Sequence, residues 1–392
     1  MIVARNVSDK LERASWIRKM FEEGARLRAE RGADRVFDFS LGNPEIEPPE
    51  ALLATVRRLL DEAEPRRHAY MPNAGFPDVR ERIAARLAAE SGLPFDAGHV
   101  IMTVGAGGAL NTLFKAILDP GDEVIVLAPY FVEYGFYIEN HGGRMVLVDT
   151  DDAFRPDIER IEAAITERTR AIVVNSPNNP TGVLYDERDY ARLDELAARD
   201  GREILVVSDE PYRALVFDGV VAPVVPRHVR HAVVCTSWSK SLAIPGERIG
   251  YIAISPRVPD AAALAGACTF THRILGFVNA PALWQRVVAE VGELTIDIGP
   301  YQDKRDLLCD ELEAIGYELV RPRGAFYVFP RTPIDDLEFI GLLQQEGILA
   351  VPGRGFGRAN HMRLSLTVPR ETIERAIPGF EAAFRKASRA GA

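Results

Sequence analysis

EILVVSDEP (residues 203–211) is a short run of apolar residues that ends abruptly in two carboxylates and a proline. Six more runs of this kind lie between residues 99 and 255, separated by stretches with helical spacing. They are HVIMTV (99–104), DEVIVLAP (122–129), GRMVLVD (143–149), RAIVVNSP (170–177), HAVVCTS (231–237) and RIGYIAIS (248–255). Strands this apolar are buried on both faces, and helices between them favour parallel pairing. The block predicts an α/β fold with a mostly parallel sheet covered by helices on both sides.

The flanking segments predict helices and a second, smaller unit. Residues 11–31 have helical spacing before the block, and residues 282–315 have it afterwards, with Pro300 as a kink or break. Three later segments indicate strands, and the last helix covers about residues 372–388. These strands are ELVRPRGAFYVFP (318–330), GILAVPGRGFG (347–357) and HMRLSLTV (361–368). The pattern is typical of a small α+β unit.

The composition argues against several classes of partner. The 392 residues carry a formal net charge of −10, whereas nucleic acid and anionic membranes attract basic surfaces. No CxxC pair occurs among Cys235, Cys268 and Cys309, and the seven histidines form no metal-binding pattern, so we expect no metal site. The sequence shows neither a signal peptide nor the ~20 apolar residues of a membrane helix. We expect a cytoplasmic protein without nucleic-acid or membrane partners.

Four polar stretches follow predicted strands, at the edge where open α/β sheets bind ligands. They are TVGAGGALNTLF (103–114), NSPNNPTG (175–182), VVSDEPYRAL (206–215) and TSWSKSLAIPGERIGY (236–251). The first can bind an anion at its helix start or be only a tight turn, and the second is equally compatible with a surface turn. Lys240 in the fourth is either a solvated charge or an amine that must be paired, neutral or covalently used. An amine whose ammonium form is destabilised becomes a nucleophile toward carbonyl groups.

In this order and at these spacings, the four stretches resemble the fold type I pyridoxal-phosphate enzymes, specifically the class I/II aminotransferases of the aspartate-aminotransferase type. The resemblance extends from SLGNP at residue 40 to RLSLTVP at residue 363. It implies pyridoxal 5′-phosphate as cofactor, and an amino acid and a 2-oxo acid as substrates. It implies a large domain with a mostly parallel seven-stranded sheet over residues 48–287. An N-terminal arm and a small α+β domain would then comprise residues 1–47 and 288–392.

The resemblance assigns roles at the cofactor ring. Lys240 would carry the cofactor as a Schiff base, and Asp209 would hold the pyridine nitrogen protonated. Tyr212 and Asn179 would hydrogen-bond the phenolic oxygen of the ring, and Phe131 would stack against it. Lys240, Asp209 and Tyr212 are thus the candidate catalytic residues.

The resemblance also assigns phosphate and substrate ligands. The phosphate ligands would be Ser237 and Arg248, with the turn residues Gly105, Ala106 and Gly107 and with Tyr70 from the other subunit. The substrate α-carboxylate would bind to Arg363 as a planar clamp, with Asn179 and Gly42 beside it. A homodimer with shared active sites is therefore implied.

An aminotransferase is the leading hypothesis, and a C–S lyase or another β-eliminating enzyme of the same fold stays open because it would share all these residues. A transcription regulator with this domain would need an N-terminal DNA-binding module, and few residues precede SLGNP. A dinucleotide-dependent dehydrogenase would need a third glycine where Leu110 stands. A metal hydrolase would need a spaced set of His, Asp and Glu ligands that is not recognisable here.

The sequence leaves the amino donor open. In one aspartate-aminotransferase subgroup that resembles this chain, a lysine at the place of Gly107 binds the distal carboxylate of the substrate. Arg273, in TFTHRILGFVNAPALWQ (269–285), can replace that lysine, or it can be a surface arginine or a structural ion pair. The side chains of Phe131, Tyr134 and Phe277 could instead line a pocket for an apolar side chain.

Overall fold

The computed structural model describes residues 2–4, 7–8, 10–11, 24, 26–63 and 65–390. Its strands are β1 (Phe37–Asp38), β2 (Val100–Thr103), β3 (Glu123–Ala128), β4 (Arg144–Asp149), β5 (Thr169–Asn175), β6 (Leu205–Asp209), β7 (Ala232–Ser237), β8 (Gly250–Ile254), β9 (Tyr327–Val328), β10 (Ile348–Leu349), β11 (Val351–Pro352) and β12 (Met362–Ser365). The strands β2 to β8 form one seven-stranded sheet in the order β2-β8-β7-β6-β5-β3-β4. Within this sheet β8 is antiparallel to both neighbours and the other pairs are parallel. The predicted mostly parallel α/β sheet is confirmed.

Helices cover both faces of this sheet, and the last three helices of the chain belong to a smaller unit. They are α1 (Glu50–Asp61), α2 (Pro77–Ser91), α3 (Gly105–Ile117), α4 (Glu133–Glu139), α5 (Ile158–Ala164), α6 (Glu187–Ala197), α7 (Val225–His228), α8 (Ala261–Ile274), α9 (Ala282–Val291), α10 (Gly299–Ile315), α11 (Asp336–Gln345) and α12 (Arg370–Ala390). Val233 packs in the core beneath α3 and α8, whereas its neighbour Val234 packs beneath α1, α2 and α9. Successive strand residues point to opposite faces, so a strand buried on both sides must be apolar throughout.

A smaller unit of short strands and long helices packs against this α/β block. Its strands pair as β11-β12-β9, and β1 near the N-terminus pairs with β10. The helices α10, α11 and α12 contribute to its apolar core together with β9 and β12. The break predicted at Pro300 is confirmed, because α9 ends at Val291 and Pro300 lies in the first turn of α10. Most of the helix predicted over residues 11–31 lies outside the described residues, although residues 26–31 are helical.

The topology brings the predicted polar stretches to one edge of the sheet. The parallel strands β2, β5, β6 and β7 end there, and β8 begins there at Gly250. A Cβ atom at Gly250 would collide with the Thr236 carbonyl and lie 2.9 Å from the backbone of Gly105, so only glycine lets these segments approach. Among the described residues, no helix is long and apolar enough to cross a membrane.

Candidate active site

A cavity of about 320 Å³ lies at this edge, between the large sheet and the smaller unit. The predicted site residues found in its wall are Gly42, Ala106, Gly107, Phe131, Asn179, Asp209, Tyr212, Ser237, Lys240, Arg248 and Arg363. Residues far apart in the sequence therefore converge in one place. No group of three or more His, Cys, Asp or Glu side chains able to hold a metal ion occurs in the described part of the chain.

Lys240 reaches into the cavity from the turn after β7. Its Nζ donates a hydrogen bond of 2.9 Å to the carbonyl oxygen of Gly42 and lies 5.3 Å from the centre of the Phe326 ring. Burial and, to a smaller extent, the positive charges of Arg363 and Arg248 together lower the pKa of Lys240 from 10.5 to about 8. A substantial fraction of this amine is neutral near physiological pH, which a nucleophile toward a carbonyl carbon requires.

Asp209, the last residue of β6, is the buried acid of the site. Its Oδ2 accepts a hydrogen bond of 2.5 Å from the Tyr134 hydroxyl, and its Oδ1 has no hydrogen-bond partner among the described residues. The pKa of Asp209 is raised from 3.8 to about 7, because burial and the charge of Glu210 outweigh the hydrogen bond from Tyr134, which lowers it. A buried carboxylate with one unpaired oxygen calls for a cationic or N–H donor from a ligand. A protonated pyridine ring is such a donor.

An anion cradle lies at the start of α3. Gly105 has a φ of 78°, and a Cβ atom there would lie 2.8 Å from Nη2 of Arg248. Arg248 is held by bonds from Nη1 to the Pro245 carbonyl and from Nη2 to the Val104 carbonyl. The first-turn amides of α3 and this guanidinium both attract negative charge, so the arrangement suits a phosphate group.

Two hydroxyls complete the cradle. The Oγ atoms of Ser237 and Ser239 lie 3.1 Å apart, and both serines line the cavity. Gly105 supports Arg248 through its close approach, whereas Ala106 and Gly107 face the cavity. The described residues therefore fit both ends of pyridoxal 5′-phosphate: an acid for its ring nitrogen and a cradle for its phosphate.

Arg363 of β12 lies at the opposite wall of the cavity. Its Nη1 donates to Oδ1 of Asn179 at 3.2 Å, and its Nη2 donates to the Ser40 carbonyl at 2.7 Å. The guanidinium lies over the rings of Tyr327 and Phe356, and its Nε has no partner among the described residues. A buried guanidinium fixed between two rings, with a free N–H, can bind a carboxylate.

The other predicted ring and substrate contacts lie in loops near strand ends and in the loop before α4. The hydroxyls of Tyr212 and Tyr327 lie 3.2 Å apart, and a Cβ atom at Gly42 would overlap the Tyr327 hydroxyl. Phe131 contacts Tyr134 edge to face, with ring centres 5.6 Å apart. The loop of Asn179 is fixed because Oδ1 of Asn175 accepts its backbone N–H at 2.7 Å.

Gly105 contacts Arg248 without lining the cavity, and two other predicted residues, Tyr70 and Arg273, do not reach this cavity within one chain. Tyr70 is 87% exposed and lies outside the cavity wall. Arg273, near the end of α8, is exposed and lies over the ring of Phe270 rather than in the wall. Any role of these two side chains at the site therefore requires a second copy of the chain.

Of Phe131, Tyr134 and Phe277, which could line a pocket for an apolar side chain, Phe131 alone lies in the cavity wall within one chain. Tyr134 is 1% exposed and its hydroxyl is used by Asp209, while Phe277 packs against His272 outside the cavity. Tyr137 and Tyr327 also line the cavity, although no sequence motif assigns them a role. The two tyrosines lie in aromatic-rich stretches, YFVEYGFY (130–137) and AFYVF (325–329). These stretches alone do not show which rings point inward.

Comparisons with known proteins agree with this geometry. Residues 34–380 match the family described as Aminotransferase class I and II. A probable aspartate/prephenate aminotransferase of Thermus aquaticus is 38% identical over 91% of this chain and 93% of the relative. The crystal structure of an amino transferase from Eubacterium rectale superposes with a TM-score of 0.95 at 37% identity, covering 98% of this chain and 99% of that one. Aspartate aminotransferase from Thermus thermophilus, solved with maleate, gives a TM-score of 0.81 at 32% identity over 93% of this chain and 96% of that one.

Proposed function

This chain belongs to the class I and II aminotransferase family, and we propose from that premise that Lys240 holds its pyridoxal 5′-phosphate and moves the proton of the reaction. The protein is a pyridoxal-phosphate-dependent aminotransferase that moves an amino group between an L-amino acid and a 2-oxo acid. One observation carries the assignment: the amine of Lys240 shares a cavity with the half-paired carboxylate of Asp209 and the anion cradle of α3.

The residues divide the work as follows. When bound, the cofactor supplies a carbonyl carbon for the amine and a protonated ring that withdraws electrons. Asp209, through its free Oδ1, would hold the proton on the ring nitrogen and so keep the ring cationic. The Tyr212 hydroxyl and the Asn179 amide, which both line the cavity, would donate to the ring oxygen, and Phe131 would cover one face of the ring.

The substrate is held and deprotonated by two further groups. Arg363 binds the α-carboxylate, with Asn179 beside it and the Gly42 backbone close to the amine. The amine of Lys240 would remove the proton at Cα of the bound amino acid, hold it, and release it again as the amino group is transferred. Its lowered pKa suits this exchange, because the amine can accept and release a proton near neutral pH.

A second copy of the chain completes the proposed site. The loop of Tyr70 is tied to the segment after α8, because Asn279 donates to the carbonyls of Met71 and Pro72. Tyr70 on this loop, and Phe270 and Ile274 near the end of α8, are large exposed side chains. We propose that they lie in a homodimer interface from which Tyr70 reaches the partner's phosphate cradle. The domain division at residues 48–287 and a cytoplasmic location, consistent with three buried free thiols, belong to the same proposal.

We propose a dicarboxylic amino donor such as aspartate. This is supported by the names of the relatives and by the maleate in the Thermus thermophilus structure. Among the described residues, the cations of the cavity wall are Lys240, Arg248 and Arg363, and each already has a role. A distal carboxylate would therefore need a cation from the partner subunit, for which Arg273 is the candidate.

The experiment that tests the function uses purified protein with pyridoxal 5′-phosphate. Wild type should absorb in the visible, bleach on adding an amino donor and recover on adding a 2-oxo acid. Lys240→Ala should show none of these changes, whereas Lys115→Ala, which removes an exposed lysine of α3, should behave as wild type. Transamination at a normal rate by Lys240→Ala would refute the assignment. Continuous release of pyruvate and ammonia without an acceptor would indicate a lyase instead.

A further inference from the structure

Tyr137 presents a hydroxyl to the anion cradle that neither motif nor resemblance assigns. It lies on α4, and its side chain lines the cavity together with Gly107 and Arg248. Its hydroxyl stands 3.1 Å from the position that a Cβ atom on Gly107 would take. This hydroxyl has no hydrogen-bond partner among the described residues. It is a donor next to the first turn of α3 that makes no hydrogen bond to any other residue the structure describes.

The chemical state of the hydroxyl suits an anion. Burial raises the pKa of Tyr137 to about 12, and the carboxylates of Glu133 and Asp209 act in the same direction, while Arg248 opposes them. The phenol therefore keeps its proton throughout the working pH range. A neutral phenol can donate to a phosphate oxygen, whereas a phenolate would repel it.

The absence of a side chain at position 107 makes this arrangement possible. A contact of 3.1 Å with a Cβ atom would be tighter than ordinary van der Waals contact, so an alanine there would force the hydroxyl to shift by a few tenths of an ångström. Gly107 belongs to the first turn of α3, where the free amides point toward an anion. Gly107 therefore leaves room for the Tyr137 hydroxyl at the cradle.

We propose that Tyr137 is an additional phosphate ligand, whose hydroxyl donates a hydrogen bond to the phosphate of pyridoxal 5′-phosphate beside Arg248 and the amides of α3. This assignment rests on the proposed cofactor site. It adds to the cradle a ligand from α4, an element that the phosphate-binding motifs of the sequence do not include.

The test is a binding measurement on cofactor-free protein. Wild type, Tyr137→Phe and the control Tyr130→Phe are titrated with pyridoxal 5′-phosphate and, separately, with pyridoxal, which lacks the phosphate. Tyr130 is a neighbouring half-buried tyrosine outside the cavity wall, so its change removes the same atom from the same region. We expect Tyr137→Phe to weaken binding of the phosphorylated form by about tenfold, the scale of one hydrogen bond to a charged group. Pyridoxal binding should change by less than twofold, and Tyr130→Phe should match wild type for both compounds.

The possible outcomes separate this inference from the function on which it rests. Wild type that binds neither compound would contradict the cofactor site itself. Wild type that binds normally, with Tyr137→Phe binding the phosphorylated form equally well, overturns only the role of Tyr137. Equal weakening for both compounds, or altered preference among amino donors with unchanged cofactor affinity, also overturns the phosphate contact. Thermal melting of the three cofactor-free proteins shows whether Tyr137→Phe is folded.

A second variant keeps the inference testable if Tyr137→Phe folds poorly. Gly107→Ala should weaken binding of pyridoxal 5′-phosphate, because its methyl group displaces the hydroxyl. In the Tyr137→Phe background the same change should cost less, since no hydroxyl remains to be displaced. Strictly additive losses in this double-mutant cycle would show that Gly107 and Tyr137 do not act on the same phosphate contact.

Discussion

Tyr134 donates a hydrogen bond of 2.5 Å to Oδ2 of Asp209, and both side chains are almost completely buried. The bond uses one carboxylate oxygen and leaves Oδ1 free toward the cavity. It also opposes burial, because a donor to the ionised form lowers the pKa that burial raises. Tyr134 thus orients the acid and helps to keep it ionised for a cationic ring.

Removing the Tyr134 hydroxyl should impair the proposed role of Asp209. In Tyr134→Phe the pKa of Asp209 rises further, so the acid side of the pH profile of kcat/KM should move to higher pH. We expect turnover at neutral pH to fall by about tenfold, since a hydrogen bond to a charged group contributes about 1.5–3 kcal/mol. Steady-state kinetics between pH 5.5 and 9 would show the shift. Tyr185→Phe, which changes a buried tyrosine outside the cavity wall, is the control. An unmoved acid limb would sink this role for Tyr134.

The ionised form of Asp209, which the proposed catalysis requires, should lower the free energy of unfolding of the cofactor-free protein. Its pKa is raised from the ordinary 3.8 to about 7, so the folded protein binds a proton more tightly than the unfolded chain between these values. The free energy of unfolding of the cofactor-free protein therefore falls as pH rises through this window, by a few kcal/mol for this one group.

Asp209→Asn removes that titration, so the variant should be more stable than wild type at high pH but less active. At pH 8 the cofactor-free variant should melt at a higher temperature than wild type, and the difference should shrink toward pH 5. Its turnover should fall much more than tenfold, because a neutral amide cannot hold the ring proton. Calorimetry at the two pH values, together with turnover assays, checks both halves. Equal melting differences at pH 5 and pH 8 would contradict the raised pKa.

Much of this fold could be predicted because burial on both faces leaves a continuous apolar run. The runs at β5, β6 and β7 gave strands, and the rule that ligands bind at carboxyl ends placed Asp209 and Lys240 together. The small unit was harder, because its strands are two to four residues long and their pairing joins β1 to β10 across most of the chain.

The tyrosines of the site could not be resolved from the sequence. YFVEYGFY (130–137) contains three tyrosines within eight residues, and α4 is too short for a period to show which of them faces inward. Only the packing of α4 against the sheet puts the Tyr134 hydroxyl on Asp209 and Tyr137 beside Gly107. Tyr327 lies in the small unit, and no local pattern shows that it meets Tyr212.

A shared site predicts complementation between two defective proteins. If Tyr70 reaches the partner's cradle, Tyr70→Phe should raise the dissociation constant of pyridoxal 5′-phosphate although Tyr70 lies outside the cavity of its own chain. Mixing Tyr70→Phe with Lys240→Ala under subunit exchange should form hybrids in which one site has both residues intact. Cofactor affinity at that site should return to the wild-type value. The oligomeric state is followed by light scattering, and a fully active monomer would contradict the model of shared sites.

The donor preference should separate two arginines that lie in different places. Arg363 is buried in the cavity and is proposed to bind the α-carboxylate that every donor carries. Arg363→Lys should therefore lower kcat/KM for all donors by roughly a hundredfold, through the loss of a bidentate contact to a charged group.

Arg273 is exposed on α8 and can act only from the partner subunit. Arg273→Ala should therefore reduce kcat/KM for aspartate and glutamate while sparing apolar donors. A panel of donors assayed with 2-oxoglutarate measures both patterns, and Arg227→Ala, at a surface site remote from the cavity wall, is the control. Equal losses for acidic and apolar donors in Arg273→Ala would leave that residue with a structural role, and the distal carboxylate would then need another cation.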